Sequence, residues 1–180
     1  MPYPEALVAP MRAELTRLGV NELRSADEVD ALFDAPDGTT LAVVNSVCGC
    51  AAANARPAVA LVSQAPIPQP DRMVTVFAGQ DLDATARLRE HLAGIPPSSP
   101  SMFLLVDGDP VFAVERRHIE GRSASAIAQD LAQAYQKFCG EAASAEAAGA
   151  EGDGATERPE VNEAPNQRGD LPSTFKSILS

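Results

Sequence analysis

Apolar side chains recur at Leu7, Val8, Met11, Leu15 and Leu18, the spacing of three and four that gathers them on one face of a helix. Gly19 closes that helix. Ser25 and Glu28 stand ahead of Val29, Leu32 and Phe33, a capping box in which each side chain serves a backbone N–H at the start of a second helix. Asp37-Gly38 then signals a turn, and the period changes. Leu41 to Val44 is an unbroken apolar run, as expected of a central strand covered on both faces. A third helix is predicted from about Cys48 to Ser63 with Pro57 inside it, where a proline removes one hydrogen bond and kinks the axis. The proline-rich piece from Ala65 to Pro70 is a loop, and Met73 to Phe77 is a β-branched strand.

Asp81 or Asp83 can cap the next helix, which presents Leu88, Leu92 and Ile95 and has Gly94 near its end. After the loop Pro96 to Pro100, Met102 to Val106 reads as a strand, Asp107-Gly108 as a hairpin turn and Val111 to Val114 as the returning antiparallel strand. Ser123 can cap a last helix carrying Ile127, Leu131, Ala134, Tyr135 and Phe138, with Cys139 at its end and Gly140 as its stop. The predicted order is α-α-β-α-β-α-β-β-α. Strands alternating with helices, then a hairpin and a closing helix, describe an α/β sandwich around a mixed sheet.

Residues 1–140 form the expected folded domain. From Glu141 to Arg168 the chain is Ala, Glu, Gly, Pro and Asn with hardly an aliphatic side chain, too little apolar surface to offset the entropy of ordering. Residues 141–180 are therefore expected to be a disordered acidic tail, with the mildly apolar Leu171 to Leu179 as a frayed end. The net charge of −11 is carried by both parts and offers no basic footprint for nucleic acid. An acidic surface also disfavours anionic membranes, and no apolar run is long enough to span one. The first residues, Met1-Pro2-Tyr3-Pro4-Glu5, lack the basic-then-apolar pattern of a secretory signal. A reducing cytoplasm is the expected setting, where a close cysteine pair is catalytic or metal-binding more often than structural.

The chemistry concentrates where the first long strand ends. Val43-Val44-Asn45-Ser46-Val47 runs into Cys48-Gly49-Cys50 and then an alanine-rich helix. The first N–H groups of a helix lack internal partners and carry partial positive charge, so they stabilise an anion placed there. A thiolate is such an anion, and its pKa falls at that position. Cys48, nearest the helix start, is expected to be the readier thiolate, and Cys50, deeper in the first turn, the less exposed one. Helical geometry sets their alpha-carbons about 5.5 Å apart, within bridging range, although a one-residue spacer makes the ring tight. Such a pair is a poor general reductant and suits a protein that passes mixed disulfides along.

This element order, with two close cysteines after the first strand, resembles the thioredoxin superfamily. Pro57 stands where those folds kink their active-site helix, and Pro100 where they place a cis-proline. More narrowly, Asn45-Ser46-Val47-Cys48-Gly49-Cys50-Ala51-Ala52, Thr75-Val76-Phe77-Ala78-Gly79-Gln80-Asp81, Pro97-Ser98-Ser99-Pro100-Ser101-Met102 and Ile119-Glu120-Gly121 are similar to the bacilliredoxin family, as is a cysteine closing the last helix. The resemblance spans roughly Tyr3 to Cys139. It implies a thioredoxin-like sandwich with a central mixed four-stranded sheet and an extra N-terminal helix. It also implies a thiol–disulfide oxidoreductase that removes bacillithiol, a low-molecular-weight thiol, from client proteins carrying it as a mixed disulfide. By the same analogy Cys48 is the nucleophile and Cys50 the resolving thiol, while Gly49, Ser99 and Pro100 position the substrate. No cofactor or metal is implied.

The rival from another class is a non-catalytic metal or iron–sulfur site. Its ligands would come from Cys48, Cys50, Cys139, His91 and His118, which are scattered over different predicted elements. Cys139 reads as a packing residue, and His118, in Arg116-Arg117-His118, as a solvated loop residue. Arg116, Arg117 and Arg122 could attract the carboxylates of a small thiol but are also ordinary surface residues.

Overall fold

A computed structural model of the chain describes residues 2–140 and 162–163. The body of the sheet is four strands, β2 (Thr39–Asn45), β3 (Arg72–Phe77), β4 (Ser101–Val106) and β5 (Asp109–Val114). β3 runs parallel to β2, β4 lies antiparallel on the other side of β2, and β5 returns antiparallel to β4. Each edge is extended by a two-residue strand running parallel to its neighbour: β1 (Asn21–Glu22) beside β3 and β6 (Asn162–Glu163) beside β5. The expected four-stranded sheet thus becomes a six-stranded one in the order β1-β3-β2-β4-β5-β6. The added strands are too short to leave an alternating pattern in the sequence. β6 falls inside the stretch expected to be disordered; the rest of that tail, with Leu171 to Leu179, lies outside the described residues.

Alternation along the strands feeds two cores. Leu41, Val43, Met102 and Leu104 pack with α3 (Arg56–Ser63) and α6 (Ala124–Phe138), including Val59, Val62, Ile127 and Leu131. Ala42, Val44, Val74, Val76 and Phe103 pack on the other face with α2 (Ala26–Asp34) and α4 (Leu82–His91), through Val29, Leu88 and Leu92. Every residue of β2 is buried, as its unbroken apolar run requires. Among the described residues no helix is long and apolar enough to cross a membrane.

The extra helix α1 (Glu5–Thr16) is held by one buried cation. Arg12 donates twice to Asp81, at 2.8 Å each, and once to Glu22 at 2.7 Å, and it lies over the Phe77 ring. The Asp81 hydrogen bonds outweigh burial and hold its guanidinium further into the charged range. Asp81 does precede α4, yet its carboxylate faces Arg12 and makes no capping bond. The other expected caps form: Glu28 N–H donates to Ser25 Oγ at 3.2 Å while Ser25 N–H donates to Glu28, and Ala126 N–H donates to Ser123 Oγ at 3.2 Å. Asp107 and Gly108, with φ of 48° and 88°, turn the hairpin through the left-handed region, as the twist of paired strands favours.

Candidate active site

β2 ends at Asn45, and three residues later the carbonyl of Cys48 accepts the N–H groups of Ala51 and Ala52 at 3.1 and 3.2 Å. Cys48 is therefore the residue from which the helix starts. The first turns do not follow the ordinary α pattern. Ala51–Ala55 is a π-helical turn in which the N–H of Arg56 reaches back five residues to the Ala51 carbonyl. Pro57 then falls in the first turn of α3, not in mid-helix. A proline has no N–H to give and its ring crowds the preceding turn, and widening that turn accommodates it at a helix beginning. The predicted end at Ser63 holds.

Both sulfurs are half-buried, and they lie 2.7 Å apart, a small displacement from the ~2.05 Å of an S–S bond. The Ser46 hydroxyl lies 3.2 Å from Cys48 Sγ. Burial of Cys48 opposes its ionisation, but hydrogen bonds from Cys50, Ser46 and the Ala51 N–H, aided by the charge of Arg116, prevail and hold its pKa below that of an ordinary thiol. Cys50 moves the other way. Burial raises its pKa, and so do its hydrogen bond to Cys48 and the negative charge there. Of the pair, Cys48 is thus the sulfur favoured to ionise and Cys50 the one favoured to keep its proton. Gly49, between them, is exposed, has no left-handed φ, and a Cβ built on it would meet nothing within 4 Å. Neither backbone nor packing demands glycine there.

Ser46 is fixed from behind. Arg56, only 3% exposed, pairs with Glu14 at 2.7 Å and donates to Asn45 Oδ1 and the Ser46 carbonyl at 3.1 Å each, while the Ser46 N–H donates to Asn45 Oδ1 at 2.8 Å. Neither Ser46 nor this network was expected from sequence. The available signal was Arg56 itself, a lone cation among Ala55, Ala58, Val59 and Val62, since a charge on an apolar face is buried only with partners.

The Ser99–Pro100 peptide is cis. Ser101 pairs with Val44 across β2 and β4, so the loop that carries Ser99 and Pro100 and the segment that carries the cysteines leave the sheet at the same end. Arg116 joins them. It opens α5 (Arg116–Ile119), a short helix absent from the predicted order. Its N–H donates to Ser98 Oγ at 3.4 Å, its Nη1 to the Ser99 carbonyl at 3.5 Å, and its Nε and Nη2 to Glu120 Oε1 at 3.0 and 2.8 Å. Asn54, in the π turn, donates to the carbonyls of Ile119 and Arg122, which ties α5 to the cysteine helix.

The scattered ligand candidates do not converge. His118 is buried in α5, where its Nδ1 accepts from the Glu115 N–H at 3.2 Å, and is no solvated loop residue; the short helix that closes over it had no periodic signature. His91 stacks on Phe33 and pairs with Asp30 on the α2–α4 side. Cys139 caps α6 and interacts with Thr39, at the opposite end of β2 from Cys48. Among the described residues no three His, Cys, Asp or Glu side chains are grouped to hold a metal ion.

The chain resembles the Malassezia sympodialis thioredoxin structure at 18% identity and a TM-score of 0.46, over 67% of this chain and 91% of that one. It is 58% identical to a bacilliredoxin of Salinibacter ruber over 99% of both chains. It is 50% identical to a bacilliredoxin of Halalkalibacterium halodurans, over 76% of this chain and 94% of the relative. A family model described as disulphide isomerase matches residues 3–139. The chain belongs to the bacilliredoxin family.

Proposed function

We propose that this thiol–disulfide oxidoreductase removes bacillithiol from client proteins in the cytoplasm, with Cys48 as nucleophile and Cys50 as resolving thiol. The observation that carries this reading is the half-buried Cys48 sulfur accepting hydrogen bonds from Cys50, Ser46 and the Ala51 N–H at a helix start. Its thiolate attacks the bacillithiol sulfur of the mixed disulfide. The client–bacillithiol S–S bond breaks, a Cys48–bacillithiol S–S bond forms, and the client leaves as a thiolate. Cys50, having passed its proton to solvent or to the departing sulfur, then attacks Cys48 and expels bacillithiol as a thiolate, leaving a Cys48–Cys50 disulfide. A second bacillithiol can instead attack the mixed disulfide at the bacillithiol sulfur and free Cys48. The Cys48–Cys50 disulfide returns to dithiol with two electrons from a thiol donor.

Ser99 and Pro100 serve as the backbone against which the mixed disulfide lies, and exposed Gly49 leaves the approach to Cys48 open. The test is release of bacillithiol from a loaded client, followed by intact mass. Cys48→Ala is expected to slow release by on the order of 10³-fold or more, as for loss of other nucleophiles. Cys50→Ser is expected to accumulate enzyme one bacillithiol heavier. Parent-like release by Cys48→Ala overturns the mechanism.

A further inference from the structure

We propose that Arg116 determines specificity for the small thiol by binding a carboxylate on it, and that Glu120 is the internal carboxylate which that group displaces. The proposal rests on the reading of Cys48 as the sulfur that takes up the small thiol. Arg116 stands at the junction of the three pieces that meet at the site. Its backbone is held by Ser98, its Nη1 touches the Ser99 carbonyl beside the cis bond, and its charge acts on both Cys48 and Cys50. A molecule whose sulfur is bonded to Cys48 therefore has its remainder within the field of this guanidinium.

The guanidinium is accessible, at 46% exposure, and its present partner is more so, at 54%. Glu120 uses a single oxygen, Oε1, for both Nε and Nη2. Glu120 and Ser99 between them engage three of the five N–H donors that a guanidinium carries. An exposed one-oxygen pair of this kind is worth little in water, whereas the planar fork of arginine is suited to two oxygens of an incoming carboxylate. Exchange of Glu120 for a substrate carboxylate thus costs little and gives each of the two N–H groups an oxygen of its own. Bacillithiol carries carboxylates remote from its sulfur, so the chemistry matches.

A carboxylate could come from the small thiol or from an acidic residue of the client, and the experiment separates the two. One reporter protein with a single surface cysteine is loaded with bacillithiol or with uncharged mercaptoethanol, and kcat/KM for release is measured for each. Arg116→Gln is expected to lower the ratio of bacillithiol to mercaptoethanol release about tenfold, the worth of one charge-assisted hydrogen bond. Arg116→Lys is expected to recover part of that ratio, and Glu120→Gln to lower KM for the bacillithiol reporter only. An Arg116→Gln variant that slows both reporters equally overturns the proposal, because loss of thiolate stabilisation or of α5 packing acts on both. Dependence that follows acidic residues placed beside the reporter cysteine, whatever the thiol, overturns it too. If Cys48→Ala abolishes release while Arg116→Gln does not discriminate, the mechanism stands and the specificity role falls. If Cys48→Ala releases bacillithiol normally, the mechanism itself falls.

Discussion

β2 has cysteine chemistry at both ends, and the two ends differ in kind. Where the strand ends, Cys48 begins a helix, and N–H and hydroxyl donors converge on its sulfur. Where the strand begins, Cys139 ends a helix beside Thr39. There burial pushes the thiol up to about 11, the carboxylate of Asp71 pushes the same way, and the contact with Thr39 offsets only part of this. Burial opposes ionisation at both, and the partners separate them: donors and an arginine act on Cys48, whereas Cys139 has Thr39 alone as a donor and a carboxylate nearby. A helix start presents unpaired N–H groups to an anion, whereas a helix end presents carbonyls and repels one.

Alkylation against pH gives the largest contrast. A thiolate is gained as pH rises through the pKa, so Cys48 is expected to react early, with its midpoint below that of an ordinary thiol. Cys139 is expected to be still climbing above pH 10. Near pH 7 the difference in modification rate, read by peptide mass, should reach about a hundredfold or more, following thiolate fraction. Coincident profiles would erase the distinction between the two ends.

A second way to sharpen the comparison is to remove what supports only the reactive end. Arg56→Met removes the buried donor to Asn45 Oδ1 and the Ser46 carbonyl, and the partner of half-exposed Glu14. A loss of about 1–3 kcal/mol in urea unfolding is expected, the scale for leaving a buried acceptor unsatisfied, and the Cys48 alkylation midpoint should rise with it. Unchanged stability would mean that the network is not what fixes Ser46. The smallest effect is that of Ser46→Ala. It removes one donor to the thiolate and should slow Cys48 alkylation at pH 7 by about two- to tenfold, leaving Cys139 untouched. An equal change at both cysteines would point to altered packing instead of a lost hydrogen bond.

The linear pattern was sufficient for the elements whose identity depends on near neighbours. The apolar run of β2, the Ser25–Glu28 box, the Asp107-Gly108 turn and the amphipathic face of α6 each state their structure within a few residues, and all formed. The position of Cys48 at a strand-to-helix junction was legible for the same reason. What failed was either too short to carry a period, as with β1 and α5, or settled by a competitor elsewhere in the chain. Asp81 could cap its own helix, but Arg12 from α1 claims its carboxylate. His118 looked solvated until α5 closed over it.

The sequence alone therefore determined the α/β architecture and where the two reactive sulfurs stand, because hydrophobic period and helix-start chemistry are local properties. Position at the helix start already favoured Cys48 as the readier thiolate, but only the tertiary structure supplied the surroundings that lower its pKa and raise that of Cys50. Those surroundings depend on Ser46, held by Arg56 and Asn45, and on Arg116, brought in just after β5, two strands from β2 in the sheet. A pKa answers to every charge and donor within a few ångströms in space, and most of those are distant along the chain.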